Sequence, residues 1–371
     1  MTASSDIAAD PDPRALVSPN ADFWLVGGAS LAAFMLFVAV TEMAGVDLGQ
    51  NPYYWVFYLS FLINDPHFIY SYFLFYRGFG KRLKAPETER FSRLRYLLAG
   101  IAVPAVMTAF IFFALFNPDP KYVNWAVGAM LFSVGWHYAK QGYGVLITLS
   151  LYEGVVYSAL EKRLLWLNAY ALWIYSWVSG LVFSVRGLNP ASYDAPAPAA
   201  GPHWTEKPAL YGMLLLLPAL GVVVKHWFKD GGGISGNAVL GYSCACCVWL
   251  MMPFINPAFM PFIPLFHSLQ YLPFVYKVKK SELSQVERGR MLKRALRGAL
   301  LFALAGVALS LVFFEWLPKY LDRRAAASGA GLHAEFFLLM FLSFINIHHY
   351  FMDSAYWRRD NAEIQRNLFR A

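Results

Sequence analysis

The sequence predicts an all-α, polytopic transmembrane helix bundle of about ten spans, with the N- and C-termini both cytoplasmic. Three observations carry that expectation. Of the 371 residues, 58% are hydrophobic and only 15% charged, which is more apolar surface than one soluble core can conceal. Ten apolar stretches, each about the 20 residues needed to cross a bilayer, fall at 23–45, 52–76, 96–116, 122–150, 165–185, 208–228, 237–255, 258–276, 298–317 and 334–357. If the N-terminus is inside, 24 of the 31 Lys and Arg lie in inner segments and six in outer loops, leaving Lys140 within a span. That bias is the one expected of a single orientation.

Taken in order, residues 1–22 carry Asp6, Asp10 and Asp12 against a lone Arg14. This is the wrong charge pattern for a secretory signal, so the stretch reads as a cytoplasmic tail and span 23–45 as a retained anchor. Residues 23–357 read as one transmembrane helical domain and 358–371 as a second cytoplasmic tail. The outer loop 186–207, with its Ala/Pro tract, is expected to be an extended link. The inner segment Ser281 to Arg297 mixes Glu282 and Glu287 with several Lys and Arg and is expected to form an amphipathic surface helix on anionic headgroups. Cys244, Cys246 and Cys247 share one apolar span without a partner elsewhere, so small residues packed between helices are expected rather than a disulfide or zinc site. The net charge of +8 needs no nucleic acid to explain it, because the basic residues sit in inner loops. The expected surroundings are membrane lipid, and the expected location is the cell inner membrane.

Ionisable side chains are costly in hydrocarbon and mark function by default. Within the spans they are few. Span two carries Asn64, Asp65, Pro66 and His67; span four carries His137, Lys140 and Gln141; span eight carries His267, Ser268 and Gln270; span ten carries Asn346, His348, His349 and Asp353. His67, His267, His348 and His349 each lie ten residues before a basic inner boundary, at Arg77, Lys277, Arg358 and Arg359. At 1.5 Å per residue that is about 15 Å, the middle of a bilayer core about 30 Å thick. His137 lies at a matching distance from the outer end of its helix. All four spans run outside to inside, so the imidazoles can share one plane.

Imidazole suits Fe, Zn, Cu and Ni, and a set of three or four leaves coordination positions open. His67, His137, His267 and either His348 or His349 are therefore candidate metal ligands. Asp65, two residues before His67, and Asp353, one turn beyond His349, are candidate carboxylates for orienting the rings. Pro66, Pro261, Pro264 and Pro273 interrupt the backbone ladder near these residues and can open a pocket. The competing readings are a proton- or ion-coupled carrier built on Asp65, Lys140, Asp353 and the histidines, and independent packing. His203, His226 and His333 fall in loops or at span ends, where an amphipathic ring is at home.

Several chemistries are excluded by the counts. Di-iron membrane desaturases need clustered histidine boxes that this chain lacks, and haem ladders need axial pairs at two depths. Zincin and P-loop signatures are absent as well. Four motifs do resemble the bacterial Brp/Blh family of membrane carotenoid-cleaving dioxygenases: Pro66-His67, His137-Tyr138, His267-Ser268, and His348 with Asp353 five residues later. The third departs from the family pattern, in which a second His tends to stand where this chain has Tyr271. The fourth leaves two candidates, since family spacing favours His348 while the face shared by Asn346, His349 and Asp353 favours His349. The resemblance implies a wholly helical membrane protein with non-haem Fe2+ held by histidines from separate helices. It further implies an O2-using dioxygenase or oxidoreductase acting on a hydrophobic small molecule, carotenoid- or isoprenoid-like.

Overall fold

A computed structural model describes residues 14–46, 63–84, 90–187, 208–228, 233–250, 257–284 and 311–369, with single residues at 56, 59, 304, 308 and 309. Among these the regular structure is entirely helical. We number the principal helices α1 (Pro19–Met43), α2 (Asn64–Tyr76), α3 (Arg90–Phe116), α4 (Pro120–Tyr152), α5 (Ala159–Gly187), α6 (Pro208–Trp227), α7 (236–249), α8 (Ile263–Ser284), α9 (311–328), α10 (Phe336–Tyr356) and α11 (362–369). By length and composition α1, α3 and α10 can each cross a membrane.

Local chemistry sets the helix starts. Ser18 caps α1 by accepting the N–H of Ala21, with Pro19 at the first helical position. Asp119 accepts the N–H of Lys121 ahead of Pro120 in α4. Ser158 and Glu161 form a reciprocal capping box at α5: the Glu161 carboxylate accepts the Ser158 N–H at 2.7 Å, and the Ser158 hydroxyl accepts the Glu161 N–H at 3.3 Å. Each such arrangement satisfies donors that a helix start would otherwise leave unpaired.

The connection after span nine departs from expectation. Lys319, Arg323 and Arg324 were expected in an outer loop beyond residue 317, yet α9 continues through Ser328 and stops at Gly329, whose φ of +67° suits glycine. The continuation stands because Pro318 and Asp322 are buried and the Asp322 carboxylate accepts the backbone N–H groups of Phe337 and Leu338 at the start of α10. The segments expected as tails also contribute to the packing. Leu16 and Asp22 are buried ahead of the first apolar stretch, and Ile364 and Leu368 are buried in α11. The Ala/Pro tract and the surface helix beyond Ser284 lie outside the described residues.

Ion pairs join segments at the helix ends. Arg77 pairs with Glu282 and Glu363, Arg82 with Glu363, and Arg95 with Asp360. Lys277 donates to the carbonyl of Ala15, and Lys225 pairs with Glu161. Partly exposed pairs add little stability; what they show is proximity, the segment after α2 meeting the end of α8 and the segment after α10, and the end of α6 meeting the start of α5. Small residues allow close approach in the interior. A Cβ on Gly142 of α4 would stand 2.5 Å from that of Ala245 in α7, beside the free cysteines. α10 packs on α4 and α2, and α8 packs on α2 and the start of α1. Those four helices, α2, α4, α8 and α10, carry the polar residues singled out above.

Candidate metal centre

His67, His137, His267 and His349 converge in the interior, each at most 5% exposed. Ring centroids of His67 lie 4.4 Å from His349 and 5.0 Å from His267, while those of His137 lie 4.8 Å from His267 and 5.0 Å from His349. Two sets of donors come within 4.8 Å of one another: His67, His267 and His349; and His137, His349 and Asp353. His349 belongs to both.

The backbone fixes the first ring. α2 begins after an interruption at Ile63, where φ is −122° and ψ −57°, and Pro66 sits in the first turn, where its missing N–H leaves no helical bond unmade. His67 Nδ1 lies 2.9 Å from the Asn64 carbonyl and 3.0 Å from Ser268 Oγ. A carbonyl can only accept, so Nδ1 carries the proton and Nε2 turns its lone pair inward. That Nε2 stands 2.9 Å from Nε2 of His349. The carboxylate expected to orient His67 was Asp65, but its recorded hydrogen bond is with the Asn64 side chain; the orienting group is the Asn64 carbonyl.

Asp353 occupies the position expected of it, one turn beyond His349. Its Oδ2 lies 3.5 Å from Nε2 of His349 and 3.9 Å from Nε2 of His137. The Tyr271 hydroxyl accepts from Ser71 at 2.8 Å and from Trp357 Nε1 at 3.1 Å. Asn346 accepts from Tyr350, whose ring stacks on His137 at 4.6 Å. Gln141 donates to the His267 carbonyl and to Gln270, which is itself anchored on the carbonyls of Val26 and Gly241.

His348 is placed differently. Tyr76 donates its proton to the Gly100 carbonyl and so accepts from His348 Nε2 at 3.2 Å, while Tyr72 donates to Nδ1 at 2.7 Å. Both ring nitrogens are satisfied. The ring ties α10 to α2 and to the wide turn at 98–102 in α3, and of the two adjacent histidines only His349 enters the donor sets.

No protein-family model matches the chain, and no curated protein or solved structure matches it. The chemistry has to be read from the donors themselves. His137 Nε2, both nitrogens of His267 and Nδ1 of His349 are buried with no hydrogen-bond partner in the protein. An unsatisfied buried polar group costs about 1–3 kcal/mol; since an imidazole gives one nitrogen to a given ion, a shared ion would take up His137 Nε2 and one nitrogen of His267, alongside the His349 Nε2 that faces His67. Donors about 2.1 Å from one ion stand about 3.0–3.4 Å apart in octahedral cis or tetrahedral arrangement, which matches the Nε2 to Nε2 separation of His67 and His349 and the approach of Asp353. The buried cluster could therefore hold a metal ion.

Lys140, one turn beyond His137, reaches a cavity rather than the ring cluster. Its Nζ lies 3.5 Å from the Ser354 carbonyl and 5.0 Å from the centre of the Trp136 ring. Of the other histidines, His226 meets Glu161 at 3.2 Å, His333 accepts the N–H of Glu335, and His203 lies outside the described residues. Asn64, Ser71, Ser268, Tyr271 and Trp357 were not read as orienting groups. Ser71 follows His67 by four residues and so shares its helix face, a signal that was present; the Asn64 carbonyl leaves none.

Proposed function

We propose that this protein is a multi-pass membrane oxidoreductase of about ten spans, with both ends cytoplasmic and a non-haem iron centre at mid-membrane that uses O2 on a lipid-soluble substrate. The observation that carries the reading is the convergence of four buried imidazoles and one carboxylate, with His137 and His267 holding nitrogens that have no partner in the protein. His67, His137, His267 and His349 would hold the metal. Asp353 would either complete the set or orient His137 and His349. Two histidines with one carboxylate, as in His137, His349 and Asp353, form the donor type associated with iron(II) oxygenases. The order of motifs that resembles the Brp/Blh family favours the same metal.

Iron held there would supply redox chemistry with dioxygen. The chain's own residues do the rest. The Asn64 carbonyl and Ser268 fix the tautomer of His67, the bonds from Ser71 and Trp357 hold Tyr271 beside the His67 ring, and the aromatic rings of Tyr138, Tyr350 and Phe68 pack against the imidazoles. Such outer partners set ligand orientation and basicity.

The test is anaerobic reconstitution of the detergent-purified protein with Fe2+, followed by addition of O2 and β-carotene as a probe hydrocarbon. Loss of carotenoid absorbance that needs both iron and O2, and is missing from His349→Ala, is the expected result. Equal turnover by chelated and iron-loaded protein would overturn the reading.

A further inference from the structure

Beside the imidazole cluster lies a cavity of about 300 Å³ that opens toward the basic end of the bundle. Its volume is at the lower edge of the range for small-molecule sites. His137 and Asp353 form one wall, Ile147, Leu151, Phe274 and Leu368 supply apolar surface, and Lys140, Arg358 and Arg359 bring positive charge to its lining. Arg358 is partly neutralised by Asp360, its Nε bonding the carboxylate at 3.2 Å, and Arg359 is exposed. Lys140 differs from both. It is half-buried, has three N–H donors, and holds one long hydrogen bond to a carbonyl together with a contact to an aromatic face. Asp353 is not its ion-pair partner among the described residues.

We infer that this cavity binds the head of a single-chain amphiphile carrying a carboxylate, with the carboxylate on Lys140 and the first carbons of the chain against His137. The inference rests on the proposed metal centre for its catalytic meaning, though not for the binding itself. Three geometric and chemical facts converge on it. An apolar group set directly against the Lys140 ammonium would strip water from it without replacing the hydrogen bonds, which is unfavourable for a cation, so that end of the cavity suits a polar head. An anion satisfies the free N–H donors with charge-assisted bonds. Finally, Lys140 follows His137 by three residues, a rise of about 4.5 Å along α4, so an anion on its ammonium holds the adjoining carbons next to the donor set. The apolar residues then receive the start of the chain, and the remainder leaves between helices into lipid.

The test is equilibrium binding of radiolabelled palmitate to the full chain in detergent, in both iron-loaded and chelated forms, with hexadecanol as the uncharged counterpart. Wild type should prefer palmitate, and Lys140→Met should weaken palmitate by about tenfold or more, the usual worth of a hydrogen-bonded charge, while leaving hexadecanol unchanged. Lys140→Arg should retain the preference, which separates loss of charge from loss of folding. Equal affinity for palmitate and hexadecanol in wild type, or undiminished palmitate binding by Lys140→Met, would overturn the inference. So would displacement of the probe by dipalmitoyl phosphatidate at concentrations where unlabelled palmitate fails to compete, since the site would then be a phosphate site. Lys140-dependent binding by protein that takes up no iron on reconstitution would leave this site standing and remove the metal centre. Normal metal content with no charge preference would do the reverse.

Discussion

His348 and His349 are neighbours on one helix, both buried, and they illustrate opposite ways of keeping an imidazole inside a protein. His348 has a tyrosine on each nitrogen, one donating and one accepting, and is complete within the chain. His349 faces three other imidazoles and a carboxylate, and leaves Nδ1 without a partner. Burial is the same in the two places; satisfaction is not. A buried polar group with its partners supplied is architecture, whereas a cluster of such groups lacking them identifies where another species belongs.

Paired substitution should separate the two histidines most widely. His349→Ala should lower metal affinity by about 100-fold or more, because it removes a donor common to both sets. His67→Ala, His137→Ala and His267→Ala should each lose most of the metal as well. His348→Ala should keep its metal and instead lose about 1–3 kcal/mol of stability, as the Tyr72 hydroxyl is left buried without an acceptor. Metal content per folded chain, read together with thermal unfolding in detergent, separates the outcomes. Loss of metal from His348→Ala alone would reverse the assignment of the two residues.

A smaller effect is expected at the carboxylate. Asp353→Asn keeps the shape and one accepting oxygen but removes the charge beside His137 and His349. Metal affinity or activity should fall by about 10- to 100-fold, the usual effect of losing a partner of the ligands. If Asp353 instead relays protons along a transport path, the substitution would abolish coupled movement with metal content unchanged.

The smallest effect is expected far from the centre, at Glu161. Burial would raise this carboxyl, but hydrogen bonds from Lys225, Ser158 and His226 outweigh it and bring the value down to about 2. A carboxyl lowered on folding contributes stability that is complete above its ordinary value of 4.5 and is lost as pH falls from there toward 2. Glu161→Gln should therefore flatten the acid side of the stability profile while leaving metal content at neutral pH unaltered. An unchanged profile would show that the ion pairs around Glu161 are merely superficial.

The histidine centre was legible in the sequence because depth is a sequence property. Residues ten places from a basic boundary share one level along their helices whichever way the helices rotate, and this brought out His67, His267 and the His348/His349 pair. Rotation was less legible. Choosing between His348 and His349 needed Tyr72, Tyr76 and Gly100, which lie on other helices, and the carbonyl that orients His67 belongs to Asn64, whose side chain gives no hint of it. Tyr271 read as a departure from a familiar pattern, yet it joins Ser71 to Trp357 beside the His67 ring. Helix type was set by long apolar runs, but helix ends were not. α9 runs on to Ser328 through charged residues because Asp322 is held by the start of α10, a long-range contact that no local window records.

Whether the buried imidazoles are metal ligands is decided by elemental analysis and X-ray absorption on one sample of wild-type protein purified in detergent without chelator. The account predicts a stoichiometric transition metal with a first shell of imidazole nitrogen at about 2.0–2.2 Å. A fully functional preparation free of transition metal, or a metal bound through sulfur, would contradict it.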